Sequence, residues 1–234
     1  MTSTDIWAVV PIKETSAAKQ RLANFVPAHL RPGLVLAMFE DVLDALTAAR
    51  GLAGTIVVTA DEGAAAIAKR YGARILADEA RDGHTAVIGA TARRIAGEGC
   101  GGMLQVPGDI PLLTTEEIDL LIERHRPAPA FTIAPSHDDH GSNAVLVSPP
   151  HAVPLTFGDD SFFPHLRVAR QHGIEPSVVR VPGISRDIDC AEDLQAFARF
   201  RSSTRTQVFL DANGFEEWGG TGTTSKIAEI GQVK

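Results

Sequence analysis

The sequence predicts a single α/β domain of three layers, in which helices cover both faces of a mixed, mainly parallel sheet. Short apolar runs alternate with stretches of helical periodicity through most of the chain, which is the pattern of βαβ units. The chain has 234 residues, 44% of them hydrophobic and 22% charged. It is therefore long enough to bury a sizeable core, and its composition is that of an ordinary globular protein.

The first half of the chain carries four predicted strands. They cover residues 6–12, 55–59, 74–78 and 103–106, and the intervening helices cover 33–49, 62–71 and a segment that begins near Gly83. Because a helix carries the chain back before each new strand, we expect these strands to run parallel.

The second half breaks this alternation once. Thr114 and Glu117 form a predicted capping box at the start of a helix. The strands 131–135 and 143–147 then follow one another with only a polar loop between them, so we expect 143–147 to supply an antiparallel element. The pattern is completed by a helix from Ser161 to about His172, a strand over 176–181 and a helix over 191–201.

The periodic pattern ends near Arg201, which puts the predicted domain at residues 1–201 and a tail at 202–234. The tail has one short apolar patch and a run rich in Gly and Thr. We expect it to be flexible, or to dock on a partner or on its own domain. On the first interpretation, removing the residues after Arg201 leaves a folded, active protein.

Charge and cysteine content exclude several classes of function. Lys and Arg total 22 against 29 Asp and Glu, a net charge of −7, which argues against a broad surface for nucleic acid or an anionic membrane. Cys100 and Cys190 form no CxxC pair, and no signal peptide or membrane-spanning run is visible. We expect a cytoplasmic protein without nucleic-acid or membrane partners; a monomer and a homodimer both stay open.

Three cations leave the end of the first strand in the segment VPIKETSAAKQRL, residues 10–22. A loop at this place can surround a triphosphate, which needs Lys, Arg and backbone N–H donors. The alternative is a solvated loop leading to a helix. The three cations are Lys13, Lys19 and Arg21.

Aspartates follow two other strands. Asp109 lies in PGDIP and is either a metal ligand or part of a turn. Asp187 and Asp189 alternate in RDID and point the same way if the segment is extended. Two carboxylates about 4 Å apart repel by roughly 4 kcal/mol at an effective dielectric of about 20, a cost that Mg²⁺ would offset. Alternatively, Asp189 caps a helix, with Glu192 completing a capping box.

The segment FGDDSFFPHL, residues 157–166, presents a further candidate. Gly158 gives the backbone freedom, and Ser161 starts a helix whose N–H groups can bind an anion, or is an ordinary N-cap. We exclude HDDH (137–140) as a metal site for want of a distant third ligand, and GGTGTTSK (219–226) as a P-loop because its residue order is wrong. No G-x-S-x-G elbow supports a catalytic triad.

Taken together, these segments resemble one family. VPIK with AK.RL, then PGDIPLL, GSNAVLV, FGDDSF..HL.VA and DID..EDL occur in that order, over roughly residues 6–200. They are similar to the CofC/FbiD family of phosphoacid guanylyltransferases, which act in making coenzyme F-420. The resemblance implies a nucleotidyltransferase-type, Rossmann-like fold. It implies transfer of GMP from GTP to the phosphate of a small phosphorylated acid, with Mg²⁺ as cofactor.

The resemblance also implies roles for individual residues. The metal ligands would be Asp109, Asp187 and Asp189; the GTP phosphates would contact Lys13, Lys19 and Arg21; Asp78 and Gly83 would lie on the nucleotide side; and Ser142, Asn143, Gly158 and Ser161 would line the acceptor site. Lys13, Lys19 and Asp109 would carry catalysis. The chain departs from the family at Gly83-His84-Thr85, where Gly-Leu-Asn is common, and this leaves the preference for guanine open.

Several alternatives remain at this point. The acceptor could be 2-phospho-L-lactate, phosphoenolpyruvate or 3-phospho-D-glycerate. A related nucleotidyltransferase acting on a sugar phosphate or a pterin is disfavoured because its L-A-G-G-x-S-x-R-type loop is absent and VPIKETSAAK stands in its place. A non-catalytic nucleotide-binding protein is disfavoured because all three acidic positions are retained.

Overall fold

A computed structural model describes residues 5–15, 19–77 and 83–215 of the protein. Seven strands form one sheet: β1 (Ile6–Ile12), β2 (Gly54–Thr59), β3 (Arg74–Leu76), β4 (Gly102–Gln105), β5 (Ala130–Pro135), β6 (Ser142–Ser148) and β7 (Ser177–Val178). The α-helices are α1 (Arg31–Ala48), α2 (Glu62–Arg70), α3 (His84–Gly97), α4 (Thr115–Glu123), α5 (Phe162–Gln171), α6 (Ala191–Ala198) and α7 (Arg205–Ala212). A short 3₁₀ helix covers Gln20–Leu22.

The strand order is β3-β2-β1-β4-β6-β5-β7. β1 pairs in parallel with β2 and β4, β2 with β3, and β5 with β7. β6 runs antiparallel to both of its neighbours, β4 and β5. This confirms the mixed, mainly parallel sheet and the antiparallel element expected at 143–147.

Helices cover both faces of the sheet, which gives the three predicted layers. One face packs against α1, α2 and α4, as Val10, Phe39 and Ile118 share a buried cluster. The opposite face packs against α3 and α5, where Val9 lies in a cluster with Ile88 and other apolar residues. Neighbouring residues of β1 therefore point to opposite faces, as the period of a strand requires.

The predicted domain boundary at residue 201 does not mark the end of the packed chain. α7 lies on α1 in a third apolar cluster in which Leu210 is fully buried. Asp41 of α1 accepts hydrogen bonds from the backbone N–H of Arg205 (2.7 Å) and from the N–H and hydroxyl of Thr206 (2.9 and 2.6 Å). Part of the expected tail thus docks on its own domain, and residues 216–234 lie outside the described part of the chain.

Smaller differences occur at element ends. The strand predicted over 176–181 is regular only at Ser177–Val178, because the chain then leaves the sheet edge and buries Val181 and Ile184 in the core. The helix predicted over 191–201 ends at Ala198. No helix in the described part of the chain combines the length and apolar character needed to cross a membrane.

Candidate active site

The candidate site lies at the sheet edge where β1 and β4 end. Because β6 is antiparallel to β4, its first residues Ser142 and Asn143 reach this same edge. Ligands of open α/β sheets bind in the crevice at the carboxyl ends of the parallel strands. A cavity of about 580 Å³ opens here, and its lining includes Arg21, His84, Gln105, Asp109, Ser142, Asn143, Phe157, Gly158, Ser161, Asp187 and Asp189.

Lys19 joins two of the three predicted metal ligands. Its Nζ lies 2.6 Å from Asp109 Oδ2 and 2.6 Å from Asp189 Oδ1. Burial alone would lower the pKa of this ammonium, but the two carboxylates outweigh burial and raise the pKa above its ordinary value. Lys19 adopts a left-handed backbone conformation (φ 52°) next to the 3₁₀ helix. An ammonium has three N–H donors, so two are used here and one is left for another acceptor.

Asp187 completes the acidic group. Its Oδ1 accepts a hydrogen bond from Asn143 Nδ2 at 3.0 Å, and the same amide nitrogen donates to the carbonyl of Ile184 at 2.9 Å. Burial raises the pKa of the Asp187 carboxyl; the bond from Asn143 opposes this, and the charges of Asp109 and Asp189 add to it. The three carboxylates are therefore close enough to repel one another.

Backbone contacts bring these carboxylates together. The N–H of Ile188 donates to the carbonyl of Asp109 at 3.0 Å, which joins the two acidic loops. Glu117 accepts from the N–H groups of Gly183 (2.6 Å) and Ile184 (3.1 Å) and so fixes the chain just before Asp187. Position 183 must be glycine, because a Cβ there would lie 2.2 Å from the carbonyl oxygen of Leu112.

Negative charge dominates the cavity. Six aspartates line it, whereas Arg21 is the one Lys or Arg in the lining formed by the described residues; the aspartates are Asp109, Asp138, Asp159, Asp187, Asp189 and Asp193. In the described ranges no three His, Cys, Asp or Glu side chains form a ready-made metal cage, and Lys19 lies between two of the predicted ligands. Oxygen donors of this kind suit a hard cation such as Mg²⁺.

The other predicted phosphate-binding cations lie near the cavity rim. Arg21 forms a loose ion pair with Asp159 at 3.5 Å, and both side chains are mostly exposed. Lys13 is exposed at the end of β1. The loop between them is anchored by Thr15, whose N–H and hydroxyl donate to Asp61 Oδ2 at 2.9 and 2.7 Å. Arg21 thus lines the cavity, and Lys13 lies near enough to His84 of the lining for its charge to add to burial in lowering the pKa of that imidazole.

The start of α3 also reaches the cavity. Gly83 (φ +91°) precedes the helix, in a conformation that favours glycine. His84 packs edge-on against Phe157, with ring centroids 4.7 Å apart. The hydroxyl of Thr85 accepts from the N–H of Phe157 at 2.9 Å. The segment that departs from the family pattern is therefore tied to the FGDDSF loop; Asp78, predicted on the nucleotide side, lies outside the described residues.

Ser161 occupies the N-cap position of α5, but its hydroxyl does not cap the helix. The hydroxyl donates instead to Ser142 Oγ at 3.0 Å. The N–H groups of Ser161 and Phe162 both donate to the carbonyl of His140, at 2.8 and 3.0 Å. The expectation that these helix N–H groups bind an anion is therefore wrong for these two, because a backbone carbonyl already accepts from them.

The structure also decides the alternative at Asp189 and shows the surroundings of Gly158. Asp189 is not the N-cap of α6: Cys190 holds that position, and Asp193, not Glu192, accepts from the N–H groups of Asp189 (3.0 Å) and Cys190 (2.9 Å). The side chain of Asp189 is thus left for Lys19. A Cβ at Gly158 would meet no atom within 4 Å, so this glycine borders open space at the cavity.

The excluded HDDH segment borders the cavity without forming a metal cage. Asp138 Oδ1 accepts from the hydroxyl of Ser136 (2.6 Å) and from the N–H of His140 (3.0 Å), a local turn arrangement. The other excluded segment, 219–226, lies beyond the described residues.

Comparison with known proteins identifies the family to which the chain belongs. The profile of a family described as "Guanylyl transferase CofC like" matches residues 6–225. The chain belongs to this family. In this CofC-like chain the match extends past residue 201 and includes α7.

Two relatives agree with this assignment, and a solved structure shares the fold. The chain is 36% identical over 218 residues to a protein named phosphoenolpyruvate guanylyltransferase from Roseiflexus castenholzii, covering 92% of this chain and 100% of the relative. It is 33% identical over 200 residues to a 3-phospho-D-glycerate guanylyltransferase from Colwellia psychrerythraea, covering 86% and 94%. A structure from Desulfovibrio desulfuricans, titled a candidate nucleotide-diphospho-sugar transferase, matches with a TM-score of 0.75 at 16% identity, covering 92% and 98%.

Sequence reasoning missed two residues of this CofC-like site. Gln105, the last residue of β4, is 1% exposed, and its Oε1 has no hydrogen-bond partner among the described protein atoms although it borders the cavity. His165 is likewise 1% exposed and contacts the Ser142 hydroxyl. The sequence pointed to Gln105 in one way, because it is the polar residue of an otherwise apolar strand. Nothing in the sequence pointed to a role for His165 beyond its place in the HL.VA segment.

Proposed function

We propose that this protein transfers GMP from GTP to the phosphate of a small phosphorylated acid and releases pyrophosphate, as the family resemblance implies for coenzyme F-420 biosynthesis. The observation that carries the proposal is the group formed by Lys19, Asp109 and Asp189 at the carboxyl ends of the strands, with Asp187 beside it. Such a group suits a reaction in which charge is neutralised and reactants are positioned. The unpaired thiols of Cys100 and Cys190 are consistent with a cytosolic enzyme.

The reaction needs no covalent intermediate on the protein. A phosphate oxygen of the acid attacks the α-phosphorus of GTP, a new P–O bond forms, and the bond to the β-phosphate oxygen breaks with its electron pair leaving on pyrophosphate. Because the nucleophile is already an anion, no general base is required. Lys19 keeps one N–H beyond the two that it donates to Asp109 and Asp189, and we assign this donor to a phosphate oxygen of GTP. Lys13 and Arg21 approach from the rim.

Mg²⁺ fits the residues of this site. Two polyanionic substrates cannot enter a cavity lined by six aspartates unless a cation compensates the charge. We propose Asp109, Asp187 and Asp189 as the carboxylates that hold Mg²⁺, with Asn143 orienting Asp187. When bound, Mg²⁺ would neutralise charge on the phosphates and help to orient them.

The polar residues divide into two sides of the cavity. Gln105 offers a buried acceptor oxygen that needs a donor; GTP has several N–H and O–H donors, whereas phosphoenolpyruvate and 2-phospho-L-lactate have none and 3-phospho-D-glycerate has a single hydroxyl. We therefore assign Gln105 to the nucleotide, together with His84 at the start of α3. Ser142 offers a hydroxyl group that suits an anionic oxygen of the acid, Ser161 supports it by donating to Ser142 Oγ, and Gly158 borders the same space.

Turnover with defined substrates tests the proposal. The full chain is incubated with GTP, Mg²⁺ and each of phosphoenolpyruvate, 3-phospho-D-glycerate and 2-phospho-L-lactate, and pyrophosphate and product mass are measured. We expect a guanylylated acid with a diphosphate bridge from at least one acid. CTP with glucose 1-phosphate is the comparison pair, and the Asp189→Asn protein is the control. Turnover of the comparison pair alone would contradict the proposal; gel filtration in the same buffers decides between monomer and homodimer.

A further inference from the structure

His165 lies behind the cavity wall and makes two directed hydrogen bonds. Its Nε2 accepts from the backbone N–H of Thr156 at 3.0 Å, and its Nδ1 lies 2.9 Å from Ser142 Oγ. The ring packs edge-on against Phe157, with centroids 5.2 Å apart. It is 1% exposed, so His165 cannot touch a substrate itself.

The contacts decide where the proton of His165 resides. A backbone N–H can only donate, so Nε2 must be unprotonated. Burial lowers the pKa of His165 to about 4, and the ring is therefore neutral near pH 7. A neutral imidazole carries one proton, which must then be on Nδ1 and be donated to Ser142 Oγ.

Ser142 consequently has one unused donor. Its oxygen accepts from Nδ1 of His165 and also from the hydroxyl of Ser161 at 3.0 Å, which fills both lone pairs. Its own O–H must point elsewhere, and among the described residues no acceptor takes it. Ser142 borders the cavity, so the O–H is free to donate to a ligand there.

We propose that His165 is a positioning residue that aims the Ser142 hydroxyl at an anionic oxygen of the acid acceptor. This inference rests on the proposed function and deepens it, because it says how the acceptor side holds an anion. A neutral hydroxyl donor binds an anion without adding charge to the protein. It is also held in one orientation, so little rotamer entropy is lost on binding.

The chain offers a matched control in His125. It is also largely buried, and its two ring nitrogens lie 2.9 Å from Thr132 Oγ1 and 2.9 Å from Ser148 Oγ. Burial lowers the pKa of His125 to about 4, as for His165. Ser148, however, ends β6 at the edge of the sheet opposite the cavity. Loss of His125 thus tests the structural cost of removing such a histidine without touching the acceptor side.

Two conservative variants separate positioning from packing. In His165→Asn the amide nitrogen takes the place of Nδ1 and can donate to Ser142, whereas in His165→Gln the amide lies near Nε2 and can serve only Thr156. We expect His165→Gln to raise the KM for the acid about tenfold or more, the value of one hydrogen bond to a charged group, and leave the KM for GTP within about twofold. We expect His165→Asn to stay close to the wild type.

Two further sets of variants check the expected effect of His165→Gln on the KM for the acid. His125→Gln and His125→Asn should leave the KM for the acid unchanged. In a Ser142→Ala chain, which lacks the aimed hydroxyl, adding His165→Gln should raise the KM for the acid less than twofold further. Equal losses in His165→Asn and His165→Gln, or a full further loss without the Ser142 hydroxyl, would overturn the inference and make His165 a packing residue only.

A binding measurement keeps this inference separate from the proposed function. Calorimetric Kd values for phosphoenolpyruvate are measured in the presence of Mg²⁺ and a GTP analogue with a non-cleavable α,β-methylene bridge. If the wild-type chain binds the acid but never guanylylates it, the proposed function fails and the ratio of Kd values between the two His165 variants still decides the inference. If the wild-type chain binds none of the three acids, both fail.

Discussion

Removing α7 should destabilise the domain, contrary to what the sequence pattern predicted for residues after Arg201. α7 contributes the fully buried Leu210 and three hydrogen bonds to Asp41. Burial of one leucine side chain stabilises a fold by about 2 kcal/mol. Since Asp41 regains water when α7 is absent, each hydrogen bond counts at its net value of about 1 kcal/mol. The expected loss is therefore about 5 kcal/mol, a large share of the stability of a typical domain.

The assay compares melting temperatures of three chains. For a domain of this size a loss of 1 kcal/mol lowers Tm by roughly 2–4 °C, so the chain ending at Arg201 should melt roughly 10–20 °C below the full chain. The chain ending at residue 215 keeps α7 and should therefore melt well above the chain ending at Arg201.

Point variants on α7 locate the effect. Leu210→Ala should cost about 2–3 kcal/mol, because it empties a buried position. Val208→Ala, on the same helix but 62% exposed, should stay within about 0.5 kcal/mol. A chain ending at Arg201 that melts within about 2 °C of the full chain would refute this reasoning and restore the boundary predicted from the sequence.

Three further outcomes follow from the site and its surroundings. Asp189→Asn should lower turnover by about a hundredfold or more with Tm retained, because it removes a proposed metal ligand; near-normal turnover at saturating Mg²⁺ would exclude that role. Gln105→Met should weaken GTP binding about five- to tenfold without lowering Tm, because the buried Oε1 has no partner in the described protein; lost acid binding instead would reverse the assignment of sides. For His125 the folded pKa of about 4 lies below the ordinary 6.5, so its stabilising effect is complete above pH 6.5 and is lost as pH falls towards 4. In urea titrations His125→Gln should thus lose about 2–3 kcal/mol less than the wild type between pH 7 and pH 4.5, and equal losses would contradict the buried neutral ring.

The sequence predicts the fold well because its signals are local and repeated. Apolar runs such as residues 6–12 and the capping box of Thr114 and Glu117 each determine an element without help from distant parts of the chain. The convergence of Asp109 with Asp187 could be anticipated for a related reason: polar residues that follow parallel strands must meet at one edge of a sheet.

Other features depend on contacts that no local pattern encodes. α7 has eight residues with only a weak apolar stripe, and its position depends on Asp41, more than 160 residues earlier. In the sequence, Ser161 looks like an ordinary N-cap. In the structure its hydroxyl donates to Ser142 instead, and the first N–H groups of the helix donate to the carbonyl of His140. Lys19 was expected on the triphosphate, whereas only the folded chain reveals its contacts with two carboxylates.

The reversed direction of β6 has a consequence for how this enzyme family could change its acceptor. A parallel strand offers the site only the residues that follow it, but β6 offers the residues that begin it, together with the hairpin of residues 136–141 that joins it to β5. That hairpin is bonded to both sides of the site, because the His140 carbonyl accepts from the N–H groups of Ser161 and Phe162 and the His137 N–H donates to the carbonyl of Ser185. A change in the length of this hairpin should therefore move the proposed acceptor side and the chain before Asp187 together, so that acceptor choice and the acidic group are mechanically linked.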